Sequence, residues 1–154
     1  MAAKDPITCH ILDTTLGQPA RNVRVRLEHT TLPPTTTPAP SSDLSSAAPT
    51  AHPTSLPIVF ESRTDEDGRV RSWLPYSSPQ SPGEVPVYTL EDVLGDIRGS
   101  SRWTLRFDTG PYFAAGGRET FFPEVAVVFE VAEGQHYHVP LLLSPFGYST
   151  YRGS

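Results

Sequence analysis

The sequence predicts an all-β sandwich with one or two short helices and two long loops rich in proline and serine. Seventeen prolines stand among 154 residues. That is too many for a helical protein, because each interior proline removes a backbone donor. Apolar and polar residues alternate with a period of two in run after run, the mark of half-buried strands. Turn signals separate these runs, and six or more strands with almost no helix indicate a sandwich. No internal repeat is present.

The elements follow in order. Residues 7–12 form a strand with Ile7, Cys9 and Ile11 on one face and Thr8, His10 and Leu12 on the other. Gly17-Gln18-Pro19-Ala20 is a turn. Val23, Val25 and Leu27 then alternate with Arg24, Arg26 and Glu28, so the two runs form a pair of early strands. From 30 to 57, Pro, Thr, Ser and Ala dominate, and Asp43 is the only carboxylate. Such a segment buries too little apolar surface to offset its ordering entropy, so it is expected as a disordered insertion between two strands. Its length costs little, since closure entropy grows logarithmically. The functional alternative is a Pro-rich ligand, but no P-x-x-P motif with a basic anchor is present.

Residues 58–62 resume as a strand. Thr64-Asp65-Glu66-Asp67-Gly68-Arg69 is a tight acidic turn with glycine where a positive φ is needed. Residues 70–74 leave it as a strand, and 75–87 form the second loop. Residues 90–94 give one or two helical turns, with Thr89 as N-cap and Asp92 three residues on. Trp103, Leu105 and Phe107 alternate as a strand, and 112–115 form a brief helix before Gly116-Gly117. Val125, Val127 and Phe129 alternate with Ala126, Val128 and Glu130. After the Glu133-Gly134 turn comes the strand 136–143, then a turn at Ser144-Pro145-Phe146-Gly147. The chain is expected to end inside the fold and to be one domain, 1–154.

Composition excludes several classes. Net charge is −5, and the only basic grouping is Arg21, Arg24 and Arg26. Nucleic acid is therefore not expected as a partner. One cysteine, Cys9, rules out an intramolecular disulfide; it reads as a small core residue. No apolar run approaches a signal peptide or a membrane span, so no membrane partner is expected. The last three residues are not the Ser-Lys-Leu address. The expected location is the cytoplasm, with the peroxisome as the alternative.

Alternation also proposes a site. His136 and His138 are two apart, so both imidazoles leave one face of the final long strand. Tyr137, Val139 and Leu141 point into the core. His10 lies opposite the apolar face of the first strand, and Arg69 supplies an anion clamp just after its turn. Each has a plainer alternative. His10 is an exposed strand residue, His-x-His a surface pair or two metal ligands, and Arg69 an ordinary turn residue. Glu124, after Pro123, is a base or a strand-edge carboxylate. His29 and His52 receive no role.

Particular motifs decide between these. His10-Ile11-Leu12-Asp13 with Gly17-x-Pro19-Ala20, Thr64-Asp65-x-Asp67-Gly68-Arg69, Phe121-Phe122-Pro123-Glu124 and the ending His136-Tyr137-His138-Val139-Pro140 through Tyr151-Arg152-Gly153-Ser154 resemble the 5-hydroxyisourate hydrolases of the transthyretin-related family. The resemblance covers nearly all the chain outside the two loops. It implies a transthyretin-like (prealbumin-like) β-sandwich. It also implies a homotetramer with sites at the dimer–dimer interface, a small-molecule substrate, and no cofactor or metal. It further implies catalytic roles for His10, Arg69, His138 and Ser154, with His10, Arg69, His136, Tyr151, Arg152 and Gly153 binding substrate. Transthyretin shares the fold but lacks the histidine set and the tetrapeptide.

The family reaction hydrolyses the N1–C6 amide of 5-hydroxyisourate. Histidine is the side chain that titrates where water needs activation. His10 and His138 are expected to serve the water and the leaving nitrogen, with base and acid unassigned. Arg69 holds the ligand or the oxyanion. Tyr151 and Ser154 orient substrate and water, and His136 supports His138 or contacts the ligand. Two other classes stay open: a carrier of small aromatic anions, and a zinc protein using His10, His136 and His138.

Overall fold

The computed structural model describes residues 4–30, 58–75 and 89–153. They form ten strands and two helices: β1 (Ile7–Asp13), β2 (Gln18–Pro19), β3 (Arg24–Thr30), β4 (Val59–Arg63), β5 (Arg69–Val70), β6 (Leu74–Pro75), α1 (Leu90–Asp96), β7 (Ser101–Phe107), α2 (Thr109–Ala115), β8 (Val125–Val131), β9 (Tyr137–Ser144) and β10 (Gly147–Thr150).

Two five-stranded sheets face each other. In the first, β10, β9 and β1 lie side by side, and β2 and β5 both pair with the other edge of β1. In the second the order is β6-β4-β3-β7-β8. All pairings are antiparallel except β1 with β9, which run parallel. Ile7, Cys9, Ile11, Leu141 and Leu143 of the first sheet meet Val25, Leu27, Phe60, Trp103, Leu105 and Phe107 of the second, all fully buried. Each large aliphatic or aromatic side chain so buried contributes about 1.5–3 kcal/mol. The expected alternation on the first strand holds over its whole length, since every second residue of β1 is buried.

The local signals fold as written. Thr89 accepts from the Asp92 N–H while the Asp92 carboxylate accepts from the Thr89 N–H, a complete capping box at the start of α1. Gly116 ends α2, accepting no further turn before Gly117 at φ 68°. Asp13, at the end of β1, is fully buried. Its Oδ2 accepts from Tyr112 Oη at 2.7 Å and Arg118 Nη2 at 2.6 Å. Its Oδ1 accepts from the N–H groups of Thr15 and Leu16. Asp13 therefore ties α2 and the turn after β1 to the first sheet.

The two early strands, β1 and β3, lie in opposite sheets. Three expectations change. The turn at 17–20 contains a short strand, β2, because Leu12 and Pro19 pair back across it. Residues 70–74 are not one strand: β5 belongs to the first sheet and β6 to the second. The break comes at Trp73, which is buried, its indole N–H donating to the Ile7 carbonyl at 2.8 Å and its backbone N–H to Asp5 Oδ2 at 2.8 Å. Thr30 and Pro75, taken as loop starts, are strand residues paired with Arg102 and Phe60. The rest of the expected 30–57 and 75–87 loops lies outside the described residues. A strand not anticipated, β10, folds back on β9 after the turn at residues 144–147. Among the described residues no helix is long and apolar enough to cross a membrane.

Candidate active site

The turn before β5 is built to present one side chain. Asp65 Oδ1 accepts from the N–H groups of Asp67 (2.9 Å) and Arg69 (3.0 Å), and the Gly68 N–H donates to the Asp65 carbonyl. Gly68 sits at φ 72°, and a Cβ there would lie 2.5 Å from the Ile11 carbonyl oxygen. Only glycine fits both the dihedral and the close approach to β1. The turn delivers Arg69 directly opposite His10 in the β1–β5 ladder.

The parallel β1–β9 ladder brings in the other histidine. Thr8 pairs with His138 and His10 with Pro140, so Thr8, His10 and His138 share the outer face of the sheet. The His10 and His138 rings are stacked, with centroids 6.0 Å apart and planes 19° from parallel. His138 Nδ1 lies 2.8 Å from Thr8 Oγ1. All of these side chains are half-buried, as is Arg69. Together they line a cleft of about 590 Å³, with Lys4, Arg71, His136 and Tyr137 around it and Asp5 the only carboxylate in its wall among the described residues.

The tail closes one side of this cleft. After β10 the chain returns to β9, and Gly153 forms a bridge with His138, its N–H donating to the His138 carbonyl at 2.8 Å. The Arg152 guanidinium lies over the Tyr137 ring, 4.9 Å from its centre. Tyr151 lines the cleft but is 58% exposed. Gly153 has no space to spare. An added Cβ would stand 2.8 Å from His138 Cδ2 and 3.0 Å from both the His138 carbonyl oxygen and Pro140 Cδ. Gly153→Ala is therefore expected to displace the imidazole and cost about tenfold or more in turnover, with an unchanged melting temperature. Unchanged kinetics would mean the tail is free to move aside.

The electrostatics favour neutral rings. Burial lowers the pKa of His10, and the neighbouring Arg69 charge lowers it further. Burial lowers that of His138 too, followed by the charges of His10, Arg69 and Lys4. Arg71 is engaged by Asp65 and Asp67. Among the described residues no carboxylate pairs with Arg69, so its guanidinium is available to a ligand. No group of three or more His, Cys, Asp or Glu among the described residues converges as a metal site requires.

Most of the expected set therefore lies together: His10, Arg69, His138, Tyr151, Arg152 and Gly153. His136 is exposed and precedes β9, one residue before the strand start at Tyr137, and it too reaches the cleft wall. Ser154 lies outside the described residues. Glu124 takes the strand-edge alternative, paired with Arg106 at 2.8 Å. Cys9 is fully buried, and burial pushes its thiol far up. His29 packs on Trp103. Sequence reasoning missed Thr8 as a site residue. Alternation put it on the outer face, but its partner is known only once β9 is placed beside β1.

Known proteins resemble this chain over nearly its whole length. The HIUase/Transthyretin family description matches residues 7–153. A probable 5-hydroxyisourate hydrolase of Schizosaccharomyces pombe is 36% identical over 148 residues, covering 96% of this chain and 90% of its own. The structure of Klebsiella pneumoniae 5-hydroxyisourate hydrolase superposes with a TM-score of 0.57 at 26% identity, covering 96% of this chain and 98% of that one. Sea bream transthyretin in complex with thyroxine gives 0.61 at 23% identity, over 97% and 95% of the two chains, which shows the shared fold. With nearly its whole length matched, the chain belongs to the HIUase/Transthyretin family.

Proposed function

We propose that this protein hydrolyses 5-hydroxyisourate to 2-oxo-4-hydroxy-4-carboxy-5-ureidoimidazoline, a step of urate degradation. The observation that carries the proposal is the convergence, on one outer sheet face, of two near-parallel imidazoles and a guanidinium that no carboxylate among the described residues pairs. Two imidazoles kept neutral near neutral pH supply lone pairs for water. The cationic wall suits an electron-rich oxopurine ring in a protein whose net charge is −5.

One ring takes a proton from water as the oxygen adds to C6. Arg69 holds the substrate and neutralises the charge that develops on the carbonyl oxygen. The N1–C6 bond then breaks, and the histidine pair returns a proton to N1. Tyr151, Arg152 and Gly153 bound the substrate on the tail side, and the proposal includes Ser154 as an orienting hydroxyl. No step needs a cofactor.

The test generates 5-hydroxyisourate from urate with uricase and follows its near-ultraviolet decay. Strong acceleration over the spontaneous rate is expected. A folded protein without acceleration would remove the proposal and favour a carrier, to be checked by titration with aromatic anions.

The pH profile carries a second test. The base works when neutral, so activity is lost as pH falls through its folded pKa. Both histidines lie below the ordinary 6.5, so the acid limb of kcat/KM is expected below that value. Arg69→Gln removes one of the causes. It should raise the acid limb part of the way back toward 6.5 and lower kcat/KM by about 10- to 100-fold, the worth of a charge-assisted hydrogen bond. An acid limb that does not move would detach Arg69 from the histidines.

The proposal extends to a homotetramer. Among the described residues β8 and β10 are sheet edges with no further strand beside them, and Val128, Phe121 and Phe146 are well exposed near them. Light scattering coupled to gel filtration tests the assembly. It extends also to one domain over 1–154 and to a cytoplasmic location, where the unpaired, buried Cys9 is at home.

A further inference from the structure

We propose that Thr8 is a positioning residue, which locks the His138 imidazole in its Nδ1–H tautomer and so makes Nε2 the base that takes the proton from water. This rests on the hydrolase assignment above and settles the roles within the histidine pair.

The hydrogen-bond inventory at Thr8 carries the inference. Its hydroxyl has two partners, His138 Nδ1 at 2.8 Å and the Tyr137 carbonyl oxygen at 3.4 Å. A carbonyl only accepts, and a threonine hydroxyl has one proton. Both contacts are satisfied together only when Thr8 donates to Tyr137 and accepts from His138 Nδ1–H. A neutral imidazole protonated on Nδ1 presents its lone pair on Nε2.

The surroundings leave Nε2 to the cleft. Gly153 packs along the Cδ2 edge of the ring, and the His10 ring lies near-parallel to it, its centre 6.0 Å away. Among the described residues no protein group bonds Nε2. Thr8 is held in turn by the strand register, since it faces His138 across the parallel ladder. The proton balance is complete. Nε2 accepts one proton from water as the oxygen bonds to C6, and the histidine pair gives that proton to N1 as the N1–C6 bond breaks, which returns His138 to its neutral form.

The experiment uses the full chain with ¹⁵N-labelled histidine, as wild type, Thr8→Ser and Thr8→Val. Long-range ¹H–¹⁵N spectra report the tautomer of His138, assigned by the signals lost in His138→Ala. Wild type and Thr8→Ser are expected to show Nδ1–H. In Thr8→Val the two tautomers mix, and kcat falls about 10- to 100-fold with KM within about twofold, while Thr8→Ser stays within about threefold of wild type.

An Nε2–H tautomer in an active wild type would overturn the inference, as would wild-type kcat in Thr8→Val. If Thr8→Val does not fold, the wild-type and Thr8→Ser spectra decide alone. A wild type that shows Nδ1–H but no turnover would sink the hydrolase assignment and the base role with it. The two failures are thus separate.

Discussion

His138→Ala lowers kcat for 5-hydroxyisourate by at least ~100-fold, the lower end for loss of a general acid–base group, and leaves the fold intact. The side chain is on the outer face of β9, half-buried, while Val139 and Leu141 beside it face the core. Its removal opens the cleft and leaves no cavity between the sheets. His10→Ala is expected to behave in the same direction, because the two rings stand 6.0 Å apart and, in the proposed mechanism, act on one substrate. The double variant should cost less than the product of the two single losses, since residues acting as a unit are not additive. Single-turnover decay of fresh 5-hydroxyisourate, with circular dichroism alongside, measures both. A His138→Ala protein within tenfold of wild type would remove this residue from the chemistry.

Asp13→Ala has the largest expected effect on stability, about 3 kcal/mol or more, the usual result of breaking a buried ion pair from one side. At the size of this chain that lowers the melting temperature by roughly 6–12 °C. The carboxylate is fully buried and takes four donors: Tyr112, Arg118 and two backbone N–H groups. Its loss strands the Arg118 guanidinium, whose Nη1 is already buried without a hydrogen-bond partner among the described residues, on the Phe113 ring at 4.9 Å.

Burial alone would raise the Asp13 pKa; the bonds from Arg118, Tyr112 and the Leu16 N–H outweigh it and hold the carboxyl below the ordinary 3.8. A carboxyl with a depressed folded pKa stabilises fully above its unfolded value and less as pH falls through the folded one. The wild-type advantage over Asp13→Ala should therefore be complete near pH 7 and shrink below about pH 4. Urea melts at the two pH values test this. An equal gap at both would show that the charge is not what Asp13 contributes.

Much of the fold was legible because strands write their faces into alternate residues. Ile7, Cys9 and Ile11 announced a core face and Thr8 and His10 an outer one, as the structure has it. The Asp65–Gly68 turn was legible because its φ demands glycine and its aspartate bonds its own backbone. Neighbourhood was not legible. Alternation says which way His10 and His138 point, but not that β1 and β9 run side by side in parallel. The contact of Thr8 with His138 and the sheet change at Trp73 follow from that pairing and from one indole hydrogen bond. Asp13 carried a motif position, yet a carboxylate at the end of a strand gives no sign that Tyr112 and Arg118 will come to it across about a hundred residues.

The parallel joining of β1 to β9 also sets when the molecule becomes competent. Thr8 and His138 are 130 positions apart, so their ladder closes one of the longest loops the chain can form. Long-range pairings of this kind carry the entropy of closure before they gain contacts, and they form late. A partly folded chain can hold the second sheet, built of antiparallel neighbours β3, β4, β7 and β8, and still have no site at all. Catalysis in this protein is therefore a property of the finished topology: the chain acquires its chemistry in the same event that joins β1 to β9.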